Sequence, residues 1–251
     1  MIEAVIQADW TELLGKLKPN SIDLIVTDPP YESLMKWKGV GTTARMGLGR
    51  EGTGSDDEDK FYPTIPNEDL PDLLKELYRV LKWNCHCYVM CDGSTLHYIF
   101  DIVGDGWHES GCECRRHSFA PFSNTKVLVW DKVNMGMGYH FRARHEFIVM
   151  LDKGKNRRLN DLGISDVLTF KPPSKKAYPT QKPVELFEVL ISQSSAPGEV
   201  VLDPFSGAGT TAVAAKRLGR QFVVGDISDR AIALTKESIA AVVMSPPDPE
   251  D

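Results

Sequence analysis

The sequence predicts a doubly wound α/β sheet, and two strand–turn units carry that reading. Residues 22–27 form an apolar run that stops at Asp28-Pro29-Pro30-Tyr31. Such a run, without polar alternation, suits a parallel strand covered on both faces. Residues 200–203 form a second run, which enters the turn Pro204-Phe205-Ser206-Gly207-Ala208-Gly209-Thr210-Thr211. Helical periodicity follows to Leu218, Gly219 stops it, and a third apolar run, residues 221–225, ends at Asp226. Strand, glycine turn, helix, strand and acid, in that order, form a nucleoside-binding βαβ pattern.

Taken along the chain, residues 4–8 read as a strand and 10–16 as a helix behind Asp9. After the strand at 22–27, residues 32–66 carry six glycines and little apolar pattern. A loop of that length beside a chemical turn is expected to be a flap. Residues 67–81 read as a helix, with Pro71 confined to its first turn because proline lacks an amide hydrogen. A strand at 85–90, a helix at 94–103 and two strands at 126–130 and 146–151 follow. Helices at 183–194, 210–218 and 229–244 complete the pattern, and the tail 245–251 is expected to be disordered.

The first turn has its own chemistry. Two prolines fix φ and donate no hydrogen, so the carbonyls of Asp28 and Pro29 are held outward. A carboxylate, a fixed carbonyl and the Tyr31 ring suit a planar amine on a heterocycle. In the second turn, Gly207 and Gly209 let backbone approach a ligand, and the following helix start offers free amides. Asp226 is placed to accept from a ribose hydroxyl.

Asp28-Pro-Pro-Tyr31, then Pro179-Thr180-Gln181-Lys182-Pro183, then Asp203-Pro-Phe-Ser-Gly-Ala-Gly-Thr-Thr211 resembles the β class of S-adenosylmethionine-dependent DNA amino-methyltransferases. The resemblance covers nearly the whole chain. It implies a Rossmann-like methyltransferase sheet in circularly permuted order, with a short inserted target-recognition segment. Residues 1–152 would be the catalytic half, 153–178 the recognition segment and 179–244 the cofactor half. The implied catalytic residues are Asp28, Pro29, Pro30 and Tyr31. S-adenosylmethionine would lie against Asp9, Asp28, Thr180, Gln181, Lys182, Pro183, Asp203, Phe205, Ser206, Gly207, Ala208, Gly209, Thr210, Thr211 and Asp226, with Lys182 near its carboxylate. The implied reaction is methylation of adenine N6 in double-stranded DNA, with the base flipped out of the stack. Cytosine N4 is the nearer alternative, and a non-catalytic nucleic-acid-binding module on the same fold the remoter one. A homodimer and a cognate restriction enzyme are partners the resemblance allows.

A chain of 251 residues with 42% apolar and 25% charged residues suits one α/β domain and excludes disordered and fibrous classes. No run approaches 18 apolar residues and the start lacks a basic leader, so a cytoplasmic enzyme without membrane contact is expected. The net charge of −6 is unevenly spread. Residues 51–76 hold nine acids against two lysines, whereas 142–182 hold ten basic residues against four acids. The expected DNA contacts are Lys153, Lys155, Arg157, Arg158, Lys171, Lys175 and Lys176, with Lys36, Trp37, Lys38, Arg45 and Arg50 on the flap. Cys85, Cys87, Cys91, Cys112 and Cys114 are spaced unlike common zinc sites, so core thiols are expected and no metal.

Overall fold

The computed structural model describes residues 2–32, 64–103, 122–136, 140–178 and 180–242. Among these residues eight strands form one sheet: β1 (Glu3–Gln7), β2 (Ile22–Thr27), β3 (Leu81–Cys91), β4 (Asn124–Asp131), β5 (His145–Lys153), β6 (Val167–Thr169), β7 (Val200–Asp203) and β8 (Gln221–Asp226). Their order is β1-β8-β7-β2-β3-β5-β4-β6. The five strands from β1 to β3 run parallel, β5 runs against β3 and β4 against β5, and β6 lies parallel to β4.

Helices cover both faces. One face receives Leu13 and Leu14 of α1 (Trp10–Lys16), Leu73, Leu74 and Leu77 of α2 (Leu70–Val80), and Ile99 and Ile102 of α3 (Gly93–Val103). The other receives Leu186, Phe187 and Leu190 of α4 (Val184–Ser194) and Ala212, Ala214 and Ala215 of α5 (Thr210–Arg217). Ile239 of α6 (Asp229–Ala240) packs on that second layer. β2 is buried along its whole length because Ile22 and Ile25 face one layer while Leu24 and Val26 face the other. Cys85, Cys87 and Cys91 point into the first layer, as their alternation requires, and are free thiols. Cys112 and Cys114 lie outside the described residues.

Four elements differ from the sequence reading. Residues 67–69 form a 3-10 turn and the α-helix starts at Leu70, since Pro71 fits only a first turn. β3 begins at Leu81 rather than at 85, but its pairing with β2 slips between Ile22 and Leu24. Asn84 takes a left-handed φ of 59° there, which broke the apolar pattern. β6 was not expected: three residues are too few for a periodicity to show. The expected helix at 229–244 ends at Ala240, with Ala241 as its cap.

The parallel order sets where chemistry gathers. The carboxyl ends of β1, β8, β7, β2 and β3 open on one side, and β5, running the other way, brings its first residues to that same side. Among the described residues no helix is long and apolar enough to cross a membrane.

Candidate active site

A cavity of about 240 Å³ opens at that end of the sheet. Its walls are Ala8, Asp9 and Trp10 after β1, Asp28 to Tyr31 after β2, Asp203 to Ala208 with Thr210 and Thr211 after β7, and Asp226 and Ile227 after β8. Tyr178, Thr180, Gln181 and Lys182 close it from the segment before α4. Both sequence turns therefore face one space.

Asp28 is held from one side only. Its Oδ2 accepts from Lys182 Nζ at 2.8 Å, whereas Oδ1 is buried with no hydrogen-bond partner. Burial pushes its carboxyl above the usual range, against the pull of Lys182. Lys182 Nζ also donates to Glu146 Oε2 at 2.9 Å, and Lys132 reaches the other Glu146 oxygen at 3.1 Å. Burial alone would raise Glu146, but the two ammonium groups hold it at about 2. Lys182 is buried, yet its two carboxylate partners keep it charged and raise its pKa. Tyr31 is buried and bridges to Ile65, whose N–H takes the Pro30 carbonyl at 2.7 Å. The Pro29 carbonyl has no partner among the described residues.

The glycine turn is fixed by two acids. Asp203 Oδ1 accepts from Thr27 Oγ1 and from the Phe205 N–H, and Oδ2 accepts from Thr211 Oγ1. Burial nevertheless pushes its carboxyl up to about 7. Asp226 Oδ2 accepts from the Gly207 N–H and Oδ1 from the Ser228 N–H; burial raises this carboxyl too. Gly207 and Gly209 have φ of 50° and 82°, where a side chain is strained. No side chain caps α5, so its first amides face the turn. Asp9 caps α1 through Thr11, using Oδ1. Glycine backbone beside open volume, flanked by Asp9 and Asp226, fits a nucleoside with a charged tail.

Several expected site residues sit differently. Asp203 lines the cavity, but both its oxygens already accept from the protein, Oδ1 from Thr27 and Phe205 and Oδ2 from Thr211. Lys182 faces Asp28 and Glu146, so those two carboxylates engage it before any ligand does. Gln181 Oε1 accepts from the Ala177 N–H, and Pro183 is the cap of α4 outside the cavity wall. Gly209 contributes conformation; an added Cβ would meet Thr235 Cα at 2.9 Å. Glu146, Lys132 and Tyr178 were missed. Glu146 could have been found as a lone acid opening an apolar strand.

The expected DNA face divides in two. Lys153 pairs with Cys85 at the far end of the sheet, and its buried ammonium donates to Asn20 Oδ1 and the carbonyls of Tyr78 and Leu81. Arg157 is bound to Glu199 at 2.5 Å beside Cys85. Lys155 and Arg158, both exposed, flank them in the chain just after β5, away from the cavity. Lys171 follows β6 at the cavity end, with Lys175 and Lys176 next along the chain, all exposed. Lys36, Trp37, Lys38, Arg45 and Arg50 lie outside the described residues, as does Pro179. No group of three or more metal-ligating side chains is clustered among the described residues.

Residues 22–237 match the family model described as DNA methylase, which spans N6 and N4 enzymes. The chain belongs to that family. Its relatives include the type II methyltransferase M.HpaI of Haemophilus parainfluenzae, 27% identical over 95% of this chain and 74% of the relative. M1.HpyAVI, solved with SAM, superposes with a TM-score of 0.63 at 22% identity over 95% of this chain and 99% of its own. The cytosine-N4-specific PvuII DNA methyltransferase superposes equally well, at 0.63 and 16% identity, over 95% and 86%. At such identities the likeness is one of fold: this methylase has the α/β methyltransferase architecture.

Proposed function

We propose that the methylase transfers a methyl group from S-adenosylmethionine to the N6 amine of an adenine flipped out of double-stranded DNA. The observation that carries this is the bare, buried Asp28 Oδ1 on the cavity wall, with Pro29, whose carbonyl takes no hydrogen bond from the described residues, beside it. Two fixed acceptors match the two hydrogens of an exocyclic amine. They draw its lone pair out of conjugation and aim it, while Tyr31 supplies a face for the base. A carboxyl with a raised pKa at Oδ1 is also suited to share the proton that the methylated nitrogen must lose.

S-adenosylmethionine supplies an activated methyl on a sulfonium, so no covalent nucleophile is required. Its ribose diol would meet Asp226, its adenine the walls formed by Asp9, Phe205 and Ile227, and its charged tail the Gly207 turn with Thr180 and Thr211. Adenine is favoured over cytosine because Asp stands at position 28, where cytosine-N4 enzymes of the family more often carry Ser. Lys171, Lys175 and Lys176 would contact the DNA backbone.

Asp28→Ala should abolish transfer while leaving S-adenosylmethionine affinity within a few-fold. Hydrolysis of DNA methylated by the wild type, followed by nucleoside chromatography, should yield N6-methyladenine. N4-methylcytosine there would overturn the base assignment, and an active Asp28→Ala the catalytic one.

A further inference from the structure

Four charged side chains form an alternating row behind the catalytic turn: Asp28, Lys182, Glu146 and Lys132, with successive contacts of 2.8, 2.9 and 3.1 Å. Only Asp28 and Lys182 belong to the sequence motifs. Glu146 comes from β5, whose antiparallel course delivers its second residue to the cavity end, opposite Trp130 on β4. Lys182 Nζ stands between two carboxylates and 5.7 Å from the Trp130 ring. An ammonium with a single acceptor could swing about it. One gripped from both sides cannot, so the Asp28 oxygen it binds is fixed, and the other is left bare.

We propose that Glu146, acting through Lys182, is a positioning residue that fixes the Asp28 carboxylate with Oδ1 turned to the target amine. This rests on the reading of Asp28 as the amine's acceptor. The net charge of the row is zero, which lets four ionised groups remain behind the site without a lone buried charge. Around Asp28 the other titratable groups among the described residues are Tyr31 on its own turn, Asp203 at the end of β7, Cys91 at the end of β3 and Asp92 after it, with Lys176 near Lys182. Among the described residues Lys182 is the one cation in direct contact with Asp28.

The two partners should act on Asp28 with opposite sign. Glu146→Gln removes a neighbouring anion, so the acidic limb of the rate profile, where Asp28 takes a proton, should move to lower pH. Lys182→Met removes the cation and should move that limb to higher pH. Loss of the grip in Glu146→Gln should also lower the plateau kcat by about 10-fold, with KM for S-adenosylmethionine within about three-fold, the split expected of a group acting in the transition state. Glu146→Asp, which keeps the charge, should recover part of the rate.

The measurement is the pH dependence of kcat for the full chain on duplex DNA, with Asp28→Asn as reference. Opposite displacements of the limb support the proposal, since a merely structural loss would move neither. A Glu146→Gln enzyme with kcat within about two-fold of wild type and an unmoved limb would overturn it, because misplacing a group that handles the amine proton costs much more than that. If Asp28→Asn stays active, the reading of Asp28 fails instead, which separates the two. Should Glu146→Gln fail to fold, Lys132→Met, which loosens Glu146 from outside, decides: a several-fold loss in kcat at unchanged KM supports the proposal, and an unchanged kcat overturns it.

Discussion

Gly209→Ala and Gly207→Ala differ by two positions but should differ several-fold in cost. Both glycines have positive φ, and placing an L-residue there costs roughly 1–2 kcal/mol. At Gly209 the new Cβ would also sit 2.9 Å from Thr235 Cα and 3.0 Å from its Cγ2 and Oγ1. Thr235 is in the middle of α6, so the backbone contact is relieved only by moving a helix. Overpacking of that kind adds about 1–3 kcal/mol, for a total near 3 kcal/mol. At Gly207 the nearest atoms are Tyr178 ring carbons at 3.5 and 3.6 Å, ordinary contacts, so the strain stands alone at about 1 kcal/mol. Gly207 lines the cavity, and its alanine should instead weaken S-adenosylmethionine binding. Urea unfolding read at constant m-value gives the stabilities, and calorimetry gives the affinities. Gly207→Ala as destabilising as Gly209→Ala would refute the packing argument.

Asp226→Ala should weaken S-adenosylmethionine by about 1–3 kcal/mol in calorimetry, because the Gly207 amide loses its acceptor along with the ribose. Asp203 gives a pH signature: its folded carboxyl is pushed up to about 7, so the native state binds a proton that the unfolded chain releases near pH 4. Its contribution is therefore full in acid and lost as pH rises to about 7, and wild type should lose stability across that window relative to Asp203→Asn. Neutralising Lys171 and Lys175 should flatten the salt dependence of DNA binding by about one per true phosphate contact. Neutralising Arg157 should leave that slope unchanged and cost stability through its Glu199 pair, measured in the same binding and urea experiments.

The parallel strands were legible because each is a short apolar run with its own stop: Asp28-Pro-Pro after β2, Asp203-Pro after β7, Asp226 after β8. Turns at such ends converge by topology, so the sequence alone groups Asp28, Gly207 and Asp226 on one cavity. What the sequence hid was where each charge points. Lys153 counted as one more member of a basic stretch, yet it continues the inward alternation of Val149 and Leu151 and ends buried on carbonyls. Asp203 adjoins the glycine turn, and what the sequence did not show is that its oxygens also bind Thr27 and Thr211, which lie 176 and 8 residues away. The row from Asp28 to Lys132 joins four separate segments, and no local spacing encodes it.

The pairing of β1 with β8 bears on how the chain is made. Gln7 on β1 is hydrogen-bonded to Asp229 across a separation of 222 residues. At roughly 5–20 residues per second, the ribosome needs on the order of 10–45 seconds to deliver the second after the first. During that interval β1 has no neighbour in the sheet, and Leu13 of α1 lacks Gly225, the position on β8 it packs against so closely that a Cβ there would overlap it. The wall of the cavity carrying Asp9 thus arrives early and waits, uncovered, for the wall carrying Asp226. Partial chains should be captured by chaperones that hold exposed apolar segments, and ligand should have no grip on the nascent protein until β8 has cleared the exit tunnel.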